Sequence, residues 1–204
     1  MEELIHSARY ELWQLTLTNW LNNEVLTPRW WGLVISLAVM YFVWWRLLDK
    51  SRVIEIMLYG SLVSVMAGFT DIVGITTASW QYNVRLFPIG VPVFPLDYSV
   101  VPLSLMVAYQ FTSNWRSYVL ASILASSFYG VFTSILEATR ILSSFHWGPL
   151  WAFTEGMTYS FIARFVILWL KSLSLSHQSQ VKKQFSIIPQ PAIKPIDNQN
   201  DEDK

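Results

Sequence analysis

Apolar stretches long enough to cross a bilayer recur along the chain, and they constrain its fold more than any other feature. The first runs from Trp30 to Leu48, and at about 1.5 Å per helical residue it spans most of a hydrocarbon core about 30 Å thick. Charged residues make up only 14% of the chain, against about 25% in a typical soluble domain. We therefore predict an all-α integral membrane protein with about five transmembrane helices. The predicted spans cover residues 30–48, 53–75, 97–111, 115–137 and 147–170.

The two ends of the chain have a different character. Residues 1–29 place apolar side chains at roughly helical spacing, which predicts an amphipathic helix in the membrane interface that Pro28 ends. An ordinary soluble amphipathic helix is the alternative. Residues 171–204 are rich in Ser, Gln, Lys and Pro, and such a segment buries too little apolar surface to fold. We predict a disordered cytoplasmic tail there.

Between the second and third spans lies an apolar segment that cannot form one helix. Residues 80–96 contain Pro88, Pro92 and Pro95, and proline removes backbone donors and breaks a helix interior. We predict a loop that lies in the interface or re-enters the protein. The third span then starts at Asp97 and is short, at about 22 Å.

Basic residues in short loops predict the orientation, because they concentrate on the cytoplasmic side. Eight of them fall on the side of the C-terminus, namely Arg46, Lys50, Arg52, Arg116, Lys171, Lys182, Lys183 and Lys194. Four fall on the opposite side, namely Arg9, Arg29, Arg85 and Arg140. This bias favours an orientation with the N-terminus outside and the C-terminus in the cytoplasm.

Acidic residues are rare inside membrane spans and usually face the interior of the bundle. In the predicted topology four carboxylates share the outer half of the bundle, with Tyr98 and Arg140 as nearby partners. The predicted binding residues are Asp71, Asp97, Tyr98, Glu137, Glu155 and Arg140. Thr70, Arg85 and His146 are further candidate partners on that side.

Local roles compete with this shared pocket. Asp97 or Ser99 is a favoured residue type for capping the third span, and Glu137 is three residues from Arg140, a spacing that allows an ion pair on one helix. The second and third spans, and the fourth and fifth, form hairpins of the same orientation, each with an acid near its turn. Their residues do not align well enough to establish a duplication from sequence.

Several classes of function have no support in the sequence. The chain has no cysteine and a formal net charge of zero, so thiol chemistry is excluded and nucleic acid is not an expected partner. Motifs of phosphate loops, zinc hydrolases and serine hydrolases are absent from it. We predict no enzymatic activity, cofactor or metal. The expected partners are the lipid bilayer and a small ligand, a cation or a membrane protein. An ion-coupled transporter and a lipid-modifying enzyme are the alternatives.

A set of short motifs spread over about residues 20–170 also points to a family. They are Trp44-Trp45-Arg46, Leu58-Tyr59-Gly60 with Asp71 and Gly74, Trp80-Gln81-Tyr82, Tyr109-Gln110, and the segment Pro95-Leu96-Asp97-Tyr98-Ser99-Val100-Val101-Pro102. Together they resemble a family of small multi-pass membrane proteins of spore-forming Gram-positive bacteria. The resemblance implies this architecture and a bacterial plasma-membrane location. It implies no catalytic residues.

Overall fold

The computed structural model describes residues 1–89 and 96–187. Within them the chain forms six α-helices and two short strands. The helices are α1 (Glu2–Asn19), α2 (Pro28–Leu47), α3 (Val53–Thr76), α4 (Val101–Gln110), α5 (Trp115–Ala138) and α6 (Pro149–Ile187), and the strands are β1 (Trp80–Tyr82) and β2 (Leu142–Ser144). Four segments are long and apolar enough to cross a membrane, namely Pro28–Leu47, Lys50–Thr76, Trp115–Ala138 and Pro149–His177. These agree closely with the predicted first, second, fourth and fifth spans. The predicted third span, residues 97–111, is not among them, because its helix α4 has only 10 residues, and the described residues therefore contain four membrane-length helices where about five were predicted.

The N-terminal helix ends earlier than predicted. After α1 comes a π-helical turn, Trp20–Glu24, and the chain then leaves the helix at Leu26, whose φ is +62°. Pro28 begins α2 instead of ending the preceding helix, which corrects the prediction. It stands in the first turn, behind the N-cap Thr27, where its missing N–H costs no hydrogen bond.

Helices α3 and α5 have the same length and end in the same backbone conformation. Each is 24 residues long, and their first residues, Val53 and Trp115, are 62 positions apart. Beyond each helix a residue adopts the left-handed conformation, Ala78 and Arg140, both with a φ of +55°, again 62 positions apart. A left-handed residue after the last turn ends a helix by satisfying its final carbonyls. Both helices therefore stop in the same way and at the same length.

The buried faces of the two helices coincide under the same shift of 62 positions. Seven of the eight buried residues of α3 have a buried counterpart in α5. The matched pairs are Ile56 and Tyr118, Gly60 and Ser122, Val63 and Ala125, Ala67 and Tyr129, Gly68 and Gly130, Asp71 and Thr133, and Gly74 and Leu136. The first helices of the two candidate repeats thus match in length and in buried face, whereas the helices that follow, α4 with 10 residues and α6 with 39, do not match in length.

The strands complete the repeat. β1 and β2 pair antiparallel, and the central pair is Gln81 with Ser143. On either side of it Trp80 pairs with Ser144 and Tyr82 with Leu142, so exchanging the two strands reproduces the same pairing. A pseudo-two-fold axis therefore passes through the central pair. Helices α3 and α5 both lead into this sheet from their C-terminal ends.

We call the end of the bundle at β1 and β2 the sheet end, and the opposite end, where residues 48–52 and 111–114 connect the helices, the loop end. α4 is the short element between them. It has ten residues and follows a π-helical turn, Leu96–Val100. It reaches the loop end, where the Gln110 side chain accepts from Asp49 N at 3.1 Å and donates to the Leu47 carbonyl at 3.1 Å.

Two predictions about this region are corrected. Neither Asp97 nor Ser99 caps α4, which has no capping side chain; Ser99 instead donates to the Tyr41 hydroxyl at 3.2 Å. Part of the predicted loop at residues 80–96 is the strand β1, while residues 90–95 lie outside the described part of the chain.

Helix α6 is longer than the predicted fifth span. It continues to Ile187, whereas a disordered tail was predicted from residue 171. The chain from Leu168 onward forms a second compact unit, of which the structure describes the helical part. Residues 188–204, the remainder of the predicted tail, lie outside the described residues.

Candidate functional site

A small cavity lies inside the bundle near its sheet end. It has a volume of about 20 Å³, which is room for roughly one water molecule. Eight of its lining residues form four pairs that are equivalent under the pseudo-two-fold. The pairs are Ala67 and Tyr129, Asp71 and Thr133, Trp80 and Leu142, and Tyr82 and Ser144. The cavity is therefore centred on the interface between the two repeats.

Two carboxyl groups meet at this cavity. Asp71 comes from α3 and Asp97 from the turn before α4, and they are only 3% and 4% exposed. Both side chains line the same cavity. Each keeps one buried oxygen, Oδ2, that accepts no hydrogen bond from any described residue. Because a carboxylate can only accept, these two oxygens require a proton on one of the groups, a cation, or a water molecule in the cavity.

Strand β1 holds Asp71 in place. The Trp80 indole N–H donates to Asp71 Oδ1 at 2.8 Å, and the Tyr82 hydroxyl donates to the same oxygen at 3.4 Å. Trp80 comes this close because Gly74 lies under its ring, where any Cβ would overlap it. One oxygen of Asp71 is therefore fixed by two donors, and the other remains available.

The Tyr82 phenol acts here as a donor only. Burial, and after it the neighbouring carboxyl groups of Asp97 and Asp71, raise the pKa of Tyr82 well above its ordinary value. A phenol with a raised pKa stays protonated at neutral pH. Its proton therefore stays available for the hydrogen bond to Asp71.

A third carboxylate lies at the edge of the cavity. Glu155 of α6 is half-buried and accepts hydrogen bonds from the Tyr159 hydroxyl at 3.2 Å and the Tyr129 hydroxyl at 3.4 Å. Tyr159 also bonds Thr70 Oγ1 at 2.7 Å. Glu155 is thus the acid of the site that still reaches the surface.

The structure separates the predicted site residues into two groups. It brings Asp71, Asp97 and Glu155 together, with Thr70 beside them. Among the described residues that line the cavity, Glu137, Tyr98 and Arg140 do not appear. Glu137 lies one helical turn beyond Thr133, past the cavity. Glu137 therefore does not line this cavity.

The other members of that second group have local roles. Tyr98 is 40% exposed, and its backbone carbonyl accepts from the Tyr41 hydroxyl at 2.6 Å. Arg140 is exposed and ends α5 in the left-handed conformation. The candidate partner Arg85 pairs with the buried Glu24 at 3.2 Å, and His146 is exposed.

The sequence analysis missed the aromatic part of the site. Trp80, Tyr82 and Trp147 line the cavity, and none of the three is among the predicted binding residues. The alternation of burial along β1, in which Gln81 alone faces outward, was the available signal. A strand of three residues is too short to reveal it from sequence.

The site does not have the composition of a metal centre. Within residues 1–89 and 96–187 no group of three or more acidic or histidine side chains is placed to hold a metal ion. No model of a known protein family, no curated protein and no solved structure matches the chain.

Proposed function

We propose that this protein is an integral membrane protein that binds one proton between Asp71 and Asp97. The observation that carries the proposal is the pair of buried Oδ2 oxygens without a donor, on two carboxyl groups that line the same small cavity. One shared proton supplies the missing hydrogen bond, because a protonated carboxyl becomes a donor. It also removes the repulsion of two buried like charges.

The size of the cavity favours a proton over a larger occupant. A volume of about 20 Å³ admits one water molecule, and a metal cation in an oxygen site needs about six ligands. In the orientation that the basic residues favour, the sheet end faces outside and half-buried Glu155 is the route by which protons reach the pair.

Infrared difference spectra of the purified protein at two pH values test this proposal. The carbonyl band of a protonated, buried carboxyl is expected in the wild type and is expected to vanish in Asp97→Asn and in Asp71→Asn. Asp49→Asn is the matched control, because the Asp49 carboxylate lies at the loop end and accepts from Ser51. A wild-type spectrum without such a band, or one that Asp97→Asn leaves unchanged, contradicts the proposal.

An ion-coupled carrier is a second candidate, and the pseudo-two-fold is the observation that favours it. Transporters often place the coupling-ion site at the interface of two structural repeats, and here four equivalent pairs of residues line the cavity. The test is uptake of a labelled solute into proteoliposomes, driven by a proton gradient. A gradient that moves none of the candidate amines and organic acids tested would remove this second function.

A further inference from the structure

A stripe of buried hydroxyl groups runs along one face of α5, from the loop end to the cavity. Its members follow one another at intervals of three or four residues, so they lie on one side of the helix. They are Tyr118, Ser122, Ser126, Tyr129 and Thr133, all buried. Polar groups in a membrane bundle are costly and mark ion or proton pathways when they line up.

Toward the loop end, two hydroxyls of this stripe belong to a hydrogen-bonded cluster of four hydroxyls. Ser122 and Ser160 hydroxyls are 2.6 Å apart, the Ser160 hydroxyl bonds the Tyr118 hydroxyl at 2.7 Å, and the Tyr118 and Tyr59 hydroxyls are 2.9 Å apart. The side chains come from α3, α5 and α6, and none of the four is measurably exposed. Each hydroxyl can both donate and accept.

At the loop end the cluster meets charged groups. The ring of Tyr59 stacks on Tyr109 at 4.4 Å between centroids, and the Tyr109 hydroxyl donates to Glu55. Glu55 also pairs with Arg52 at 2.9 Å. A partly buried carboxylate therefore stands at the loop end, as Glu155 does at the sheet end.

Ser126 lies between the cluster and the cavity along the buried face of α5. It lies one turn from Ser122 and less than one turn from Tyr129, it is 1% exposed, and its hydroxyl has no partner among the described residues. The facing residue on α6 is Gly156, where a Cβ would come within 2.7 Å of Ser126 Oγ. The glycine therefore leaves the space in which this hydroxyl can turn.

We propose that these hydroxyls form a proton path between the Asp71–Asp97 pair and Glu55, so that the protein conducts protons from one end of the bundle to the other. The inference rests on the proposed function, because the pair is where a proton enters or leaves. At each step a hydroxyl oxygen accepts one proton and releases its own to the next oxygen. For each proton that the pair takes up, one leaves at Glu55, and the hydroxyls are unchanged.

Proton flux into proteoliposomes tests the path directly. The vesicles hold a trapped pH-sensitive dye, and a potassium gradient with valinomycin sets the membrane potential. Wild-type vesicles are expected to acidify faster than protein-free ones. We expect Ser126→Ala to lower the rate about tenfold, as a barrier higher by about 1.4 kcal/mol does. Gly156→Ala is expected to lower it similarly by crowding Ser126 Oγ.

Ser127→Ala is the matched control, because Ser127 is the next residue on α5 and its side chain is exposed. It should conduct like the wild type. If Ser126→Ala also conducts like Ser127→Ala, or if wild-type vesicles acidify no faster than protein-free ones, the path is refuted. The infrared band of the carboxyl pair, measured on the same samples, separates the two proposals. A band without flux refutes the path alone, and no band refutes both.

Discussion

The two repeats, α3 with β1 and α5 with β2, have the same backbone conformation. They differ in side chain at nearly every position that matters chemically. Where α5 carries Tyr118, Ser122 and Tyr129 on its buried face, α3 carries Ile56, Gly60 and Ala67. At the cavity the relation is reversed. The first hairpin supplies Asp71 and its counterpart in the second is the neutral Thr133.

This difference shows that the repeat provides the scaffold and the side chains divide the chemistry. The helix lengths, their left-handed ends and the strand pairing are common to both halves. The first repeat places an acid, Asp71, at the cavity, and the second places a row of buried hydroxyls along α5. Buried hydroxyls therefore lead to the cavity along α5 but not along α3. The proposed proton path therefore lies in the second half, while the proton-binding carboxyl comes from the first.

Exchanging the cavity residues across the axis should have the largest effect. We expect Asp71→Thr to abolish the infrared band of the carboxyl pair, because Asp97 loses its partner. Adding Thr133→Asp places a carboxyl at the equivalent wall of the same cavity and should restore the band in part. The quantity measured is the intensity of the carbonyl band in infrared pH-difference spectra. If the single variant keeps the band, or the double variant lacks any recovery in a folded protein, the two positions are not equivalent.

The sequence predicted the helices well because long apolar runs are a strong and local signal. It placed α3 and α5 to within a residue or two, and it placed Asp71, Asp97 and Glu155 at one depth. It could not place Glu137, because depth along a helix does not resolve the last turn. The strand pairing joins residues 60 to 64 positions apart through three residues each, and Trp-Gln-Tyr and Leu-Ser-Ser share no side-chain pattern. The repeat is not visible in the sequence, because burial and backbone conformation recur while the side-chain types do not.

Gly74 offers the next largest effect. Its counterpart is Leu136, and the counterpart of Trp80 is Leu142, so one half pairs a glycine with an indole where the other has two leucines. Gly74→Ala forces a Cβ into the Trp80 ring, and overpacking of this kind costs about 1–3 kcal/mol. We expect a lower Tm in thermal unfolding of the detergent-solubilised protein.

Gly32→Ala is the control for this variant, because a Cβ at position 32 meets nothing within 4 Å. It lies inside α2 and should raise the Tm slightly, since alanine is the better helix former. The double variant Gly74→Leu with Trp80→Leu copies the second half and should recover stability relative to Gly74→Ala. Equal Tm values for Gly74→Ala and Gly32→Ala would show that Trp80 does not depend on the glycine.

Tyr118 tests the hydroxyl cluster that the first half lacks. Tyr118→Phe removes a hydroxyl that bonds Tyr59 and Ser160, and leaving buried partners unsatisfied costs about 1–3 kcal/mol. The expected result is a lower Tm, with the infrared band of the carboxyl pair retained. Tyr10→Phe, at a residue that is 60% exposed, should change neither. An unchanged Tm in Tyr118→Phe would mean that the cluster contributes no stability.

The smallest effect should be the same in both halves, because it depends on the shared backbone. Ala78 and Arg140 both hold φ at +55°, which costs an L-residue about 1–2 kcal/mol, while glycine adopts it freely at an entropic cost of about 0.5–1 kcal/mol. Ala78→Gly and Arg140→Gly should each stabilise the protein by about 0.5–1 kcal/mol, seen as similar small rises in Tm. Ala121→Gly, inside α5, should lower it by about 1 kcal/mol. A rise at one helix end and a fall at the other would show that the two ends are not equivalent, and the pseudo-two-fold would then hold for burial but not for backbone conformation.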